Sequence, residues 1–207
     1  MPHQDRALAS VDAILVAAEQ VLLDEGFARA TTNRIAARAG VNVSLVYRYF
    51  AGKEAIVGAL VERASARTYE AVERALADTA TAPLPEVIGA LVDALVSTPG
   101  MDPGLHRELV EHVDVTPRRD AIHTLHDRVS TLFAAMLASR SQELRVFADQ
   151  EAVMFVVEHA TAAAAHAAAF YRPDGLTAQR ARDALVEMVL RTLGRVQDGP
   201  PSPSDRS

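Results

Sequence analysis

Between Gly40 and Ile56 the chain reads GVNVSLVYRYFAGKEAI, and its side chains are of kinds that bind rather than break bonds. Two of the four tyrosines, Tyr47 and Tyr49, stand two residues apart, and the only lysine, Lys53, follows them. Every other cationic side chain apart from histidine is arginine. From Arg29 to Lys53 come five basic residues, Arg29, Arg34, Arg38, Arg48 and Lys53, and all 27 acidic residues lie outside that window. A surface field follows local charge rather than the total, so the window makes an electropositive patch on a chain of net charge −6. On a helix Arg34 and Arg38 would share one face at i, i+4 and repel by roughly a few tenths of a kcal/mol, a strain that a polyanion would relieve.

Histidine supplies the second group of reactive side chains. His159 and His166 are seven residues apart and share one helical face. If that face is buried, each imidazole needs a partner, which a ligand, a neighbouring polar group or an interface would provide. His123 and His126 are three apart, with His106 and His112 nearby. HTLH alone does not specify a metal site, so neither a metal nor a cofactor is assigned. A helical enzyme using His159 or His166 as its base would lack a nucleophile elbow, a Gly-rich phosphate loop and an HExxH motif. No catalytic residue is assigned, and with no cysteine there is neither a disulfide framework nor a thiolate site.

These groups need elements to hold them. With 207 residues and 49% hydrophobic content the chain suits one or two domains with a real core. Only 5% is aromatic, so that core is built from Leu, Val, Ile and Ala in Gly-poor runs, which favours helices. The spacing of Val11, Ile14, Leu15, Ala18, Val21 and Leu22 predicts a helix over Ser10–Glu25, with Ser10 as N-cap and Gly26 just past the end. Thr32 is read as the cap of a short helix over Asn33–Ala39, ended by Gly40. Asn42 caps a second short helix running to Phe50. Two short helices joined by a tight turn make a helix-turn-helix, with Ile35, Ala36, Val41, Val46 and Phe50 as its small core. Val46 and Phe50, at i, i+4, face inward, which turns Tyr47 toward solvent and leaves Tyr49 either in the core or at its edge.

A long helix follows over Gly52–Asp78, then a Thr/Pro/Ala hinge at TATAPLPE. Further helices are expected over Pro85–Ser97, Pro103–Val113, Pro117–Ser139, Asp149–Tyr171 and Thr177–Val196, and the end of the chain, 198–207, reads as a disordered tail. No segment reads as a strand. Past its first turn the Asp149–Tyr171 helix is apolar almost all round, so burial on more than one side is expected. The last helix carries Ala181, Ala184, Leu185, Met188, Val189 and Leu193 on one face and Val186 and Leu190 on another. Apolar surface left over on these two helices points to a second copy of the chain. The N-terminus lacks the apolar core of a signal peptide, and no run of about 18 consecutive apolar residues occurs. A soluble cytoplasmic protein without a membrane span is the expectation.

The stretch TTNRIAARAGVNVSLVYRYFAGKEAIVGAL resembles the TetR family of transcriptional regulators, through Thr32, the IAARAGV of Ile35–Val41, Tyr47, Tyr49-Phe50 and Lys53-Glu54. The likeness is specific over about residues 8–68. It implies an all-α protein of about nine helices: an N-terminal DNA-binding domain with its helix-turn-helix at about 31–50, and a helical ligand-binding and dimerisation domain at about 80–197. It implies that Thr32, Tyr47 and Lys53 meet DNA phosphates, which position the protein without reading sequence. Asn33, Val43, Ser44, Leu45 and Arg48 are left for the bases. Arg48 could grip a guanine bidentately, and Leu45 or Val43 could meet a thymine methyl.

The same resemblance implies a small-molecule pocket among the later helices, for which Met101, His112, Phe133, Met136, Phe155, His159 and His166 are candidates. The function so implied is that of a ligand-responsive, sequence-specific regulator, in the family's habit a repressor released from a palindromic operator. Its partners would be double-stranded DNA, a small-molecule effector and a second copy joined through the helices at about 149–171 and 177–196. The competing reading is a dimeric helical adaptor, or a small-molecule-binding protein, that does not bind DNA.

Overall fold

The computed structural model describes residues 2–96, 101–112 and 116–194, and the tail expected at 198–207 lies outside them. The described residues form nine α-helices: α1 (Pro2–Glu25), α2 (Thr32–Ala39), α3 (Val43–Tyr49), α4 (Lys53–Asp78), α5 (Leu84–Val96), α6 (Pro103–His112), α7 (Thr116–Ser139), α8 (Gln150–Phe170) and α9 (Ala178–Leu193). A 3-10 turn at Ser141–Glu143 and one isolated bridge between Leu144 and Gly194 complete the regular structure.

Two starts differ from the expected ones. α1 begins at Pro2, and Ser10 lies inside it: its hydroxyl donates to the Arg6 carbonyl at 2.8 Å. Proline is tolerated at the head of a helix, and a serine can bond back one turn instead of capping. At α2 the cap is Thr31, whose hydroxyl oxygen accepts from the Arg34 N–H at 3.2 Å. Thr32 is thereby the first helical residue, and its hydroxyl is left for another partner.

The helices gather into two compact units. The first takes the described residues of Met1–Glu70 and Pro99–Arg128, the second those of Ala71–Thr98 and Val129–Ser207. In the first, Ile14, Ala18, Val21 and Leu22 of α1 pack with Ile35 and Ala36 of α2, Val46 of α3, and Ile56 and Leu60 of α4. Leu105 and Leu109 of α6 are fully buried in this same core, and Met101 packs against it. Burying a leucine contributes about 2 kcal/mol, so α6, although it follows α5 in the chain, packs with the N-terminal helices. Glu108, on the same helix, accepts a hydrogen bond from the Phe27 N–H in the turn after α1.

In the second unit α5 is the enclosed helix, burying Leu84, Val87, Ile88, Leu91, Val92 and Val96. Arg182 of α9 grips Asp93 of α5 with two parallel bonds of 2.8 and 2.9 Å and also reaches Asp183 at 3.0 Å. The Asp93 bonds, then that of Asp183, push the Arg182 pKa above an already high value, so its guanidinium stays protonated. Gly89 makes room for it: a Cβ there would stand 2.9 Å from Arg182 Nη2.

α8 departs from expectation. It buries one face only, Val157, Thr161, Ala165, Ala168 and Ala169. Phe155 and Val156 are 60% and 61% exposed, and Ala152, His159, Ala160, Ala163, His166 and Ala167 are exposed with them. α5 and α9, the main neighbours of α8, cover only its buried face. By length and composition alone α8 could cross a membrane, but the helix carries Glu151, Glu158 and two histidines.

Candidate nucleic-acid interface

The turn between α2 and α3 fixes the geometry of the site. Gly40 adopts φ 67° and ends α2, its N–H reaching the Ala37 carbonyl at 3.3 Å while the Val41 N–H reaches that of Ala36 at 3.0 Å. This double closure requires a left-handed residue, which a side chain would strain. Asn42 then caps α3, its Oδ1 accepting from the Ser44 N–H at 2.8 Å. Val46 is wholly buried and Phe50 nearly so, which seats α3 against α1 and α2 and decides which of its residues face outward.

What α3 presents is mixed. Ser44, Tyr47 and Arg48 are exposed, as is Asn33 on α2, while Val43 and Leu45 are half-buried. Val43 packs partly against the core, so less of it is free to meet a base than the sequence suggests. Tyr47 is 57% exposed, and its hydroxyl lies 2.9 Å from that of Thr32. Two of the residues assigned to phosphate thus meet at the first turn of α2, one from each helix of the motif.

The charge pattern is less one-sided than the acid-free window implies. Arg34 pairs with Glu25 and Arg38 with Asp24 at 3.0 Å. The repulsion expected between the two arginines is met by carboxylates from the last turn of α1, just outside the window. Such exposed pairs are worth about 0.5 kcal/mol or less and yield readily to a stronger anion. The other three cations bond neutral oxygens: Arg29 to the Glu25 carbonyl at 2.9 Å, Arg48 to the Tyr49 hydroxyl at 3.1 Å and Lys53 to the Phe27 carbonyl at 2.8 Å. Lys53 also lies 3.9 Å from the Phe27 ring centroid. It thereby holds the turn after α1 from one side while Glu108 holds it from another. Sequence reasoning missed Glu108, since a glutamate at that place in α6 looks like any solvated helix residue.

The pocket candidates scatter. Met101 belongs to the first core; Phe133 is buried in the second, with Met136 half-buried beside it. The side chain of His112 lies outside the described residues. Phe155, His159 and His166, expected inside, stand on the exposed face of α8. His159 Nδ1 is 2.8 Å from the Phe155 carbonyl with its ring 4.0 Å from the Phe155 ring, and the His166 ring lies 5.0 Å from that of Phe170. The premise of a buried imidazole seeking a partner therefore fails for both.

Comparison with known proteins agrees with this geometry. Residues 14–60 match the model of the bacterial regulatory proteins of the tetR family, and residues 83–193 match that of the tetracyclin repressor-like C-terminal domain. No curated protein matches the chain by sequence. Among solved structures, a Mesorhizobium loti protein assigned to the TetR-family transcriptional regulators superimposes with a TM-score of 0.70 at 20% identity, covering 91% of this chain and 98% of that one. SmeT of Stenotrophomonas maltophilia, in its triclosan complex, gives 0.69 at 21% identity over 94% and 96%. The fatty acid degradation regulator FadR of Bacillus halodurans gives 0.68 at 18% over 87% and 94%. At such identities the structures establish the fold alone. The two family models, one over the helix-turn-helix and the other over more than half of the chain, establish the rest: the chain is a member of the TetR family, a DNA-binding transcriptional regulator.

Proposed function

We propose that the protein is a cytoplasmic, homodimeric repressor that grips a palindromic operator and is released from it by a small molecule. The observation that carries this reading is the Thr32–Tyr47 hydroxyl pair, exposed beside Asn33, Ser44 and Arg48. On this reading, phosphate-binding groups stand next to base-reading ones on one motif. Lys53 joins them at the first turn of α4, where its tie to Phe27 leaves other ammonium N–H groups for a phosphate. The bared face of α8, with Ala184 and Met188 of α9 also exposed, supports a symmetric joint between two copies. Two copies would present their α3 helices to successive major grooves, about 34 Å apart.

Binding of triclosan by SmeT, within the same fold, supports a small-molecule effector here. Phe133 and Met136 are the pocket candidates that remain in the second unit. The effector would favour a conformer of the dimer whose recognition helices no longer match the operator, and by linkage DNA would weaken effector binding by the same factor.

Selection of the full-length protein against random duplexes at low salt tests the reading. Enrichment of an inverted repeat whose affinity falls steeply with salt is expected. Lys53→Ala should lower the salt slope by about one per protomer. If the Lys53→Ala/Tyr47→Phe variant, shown to be folded, holds the operator like the wild type at every salt concentration, the phosphate assignment fails. If no duplex is enriched, the DNA reading fails.

A further inference from the structure

Arg48 is exposed, yet its guanidinium has a partner on its own helix. Its Nη2 donates to the Tyr49 hydroxyl at 3.1 Å, and its guanidinium carbon lies 5.1 Å from the Tyr49 ring centroid. Tyr49 is in turn fixed, because its ring is half-buried against the core that holds Val46 and Phe50. The hydroxyl at its edge is therefore a stationary acceptor on the rim of the recognition helix.

Tyr47 shows what the other tyrosine does differently. Residues two apart on a helix point about 200° away from each other. Tyr47 is open to solvent and bonds Thr32; Tyr49 is packed, and its hydroxyl bonds the arginine between the two tyrosines. The tie spends a single N–H of the guanidinium, and the remaining fork can still engage the two acceptors of a guanine edge. A long side chain immobilised on binding costs about 1 kcal/mol of lost rotamer freedom. An arginine already tied in place loses less, and its plane is set before DNA arrives.

We propose that Tyr49 is a positioning residue that orients Arg48 for one base pair in each half-site, so that specificity there depends on a hydroxyl that does not itself touch DNA. The proposal rests on Arg48 as a base reader. It adds the group through which that reading is enforced.

Tyr49→Phe keeps the packed ring and removes only the hydroxyl. The full-length variant should be titrated with the selected operator and with operators changed at one symmetric pair of positions at a time, over a range of salt. Discrimination at a single pair of positions should fall about three- to tenfold, with the other positions, the salt slope and the melting temperature unchanged. Arg48→Ala should abolish discrimination at the same positions, and adding Tyr49→Phe to it should change nothing more. Equal weakening on every duplex would make the Tyr49 hydroxyl a phosphate contact and overturn the proposal. Tighter binding would overturn it too, since the tie would then hold Arg48 away from DNA. So would discrimination equal to that of the wild type. If Arg48→Ala keeps the full base preference, the base-reading assignment falls together with the proposal. If Arg48→Ala loses it while Tyr49→Phe does not, the positioning alone falls.

Discussion

α3 and α8 are both surface helices with one buried side, but they expose opposite things. The seven residues of α3 expose a hydroxyl, a phenol and a guanidinium, the phenol of Tyr47 bonded to Thr32 and the guanidinium of Arg48 to Tyr49. The 21 residues of α8 offer a stripe of alanines with Phe155, Val156 and two histidines. A surface of diverse polar groups states what it binds, because each group accepts few partners. A surface of small apolar groups states only that something flat and apolar comes close.

Placing the same charge in the two helices gives the widest separation. Val46→Asp sets a carboxylate in a wholly buried position and should cost about 4 kcal/mol or more. The helix-turn-helix should lose its cooperative melting and all operator binding. Val156→Asp should leave the protomer as helical as the wild type by circular dichroism. It should yield a monomer in sedimentation and weaken the operator complex about a hundredfold, through loss of the linked second half-site. A dimer that survives Val156→Asp would break the comparison, because the exposed stripe would then not be the joint.

Gly40→Ala comes next. A side chain at φ 67° should cost about 1 to 2 kcal/mol, visible as a lower denaturation midpoint with an unchanged slope. Smallest is Tyr47→Phe, which loses one hydroxyl per protomer. Binding should weaken roughly two- to fivefold, equally for all sequences and with the same salt slope, since no charge is lost. Loss confined to one base position would move Tyr47 from the phosphates to the bases.

Much of the motif was legible because its signals are local. Gly40, Asn42 and the inward pair Val46 and Phe50 each act within a turn or two, and α3, Val43–Tyr49, starts after the Asn42 cap and stops one residue short of the expected end at Phe50. Ser10 misled because a hydroxyl can cap or bond back equally well, and Thr32 because its neighbour Thr31 offers the same capping oxygen one residue earlier. The compensation of Arg34 and Arg38 was hidden because its carboxylates lie in another helix. The second unit was harder still. Apolar periodicity says that α8 and α6 have faces to bury and is silent on which core receives them. Thus Leu105 and Leu109 joined the N-terminal helices, and His159 and His166 turned outward.

The bond between Glu108 and the Phe27 N–H spans 81 residues of sequence. Its consequence falls during synthesis. Ribosomes deliver about 5 to 20 residues per second, so α1 to α3 emerge seconds before the helix that completes their core. In that interval the places later filled by Leu105 and Leu109 stand open, and the turn at Phe27 lacks one of its two clasps. A nascent chain holding only the helix-turn-helix therefore carries an unfinished apolar surface, and the DNA-reading region becomes whole only after half of the polypeptide has been made.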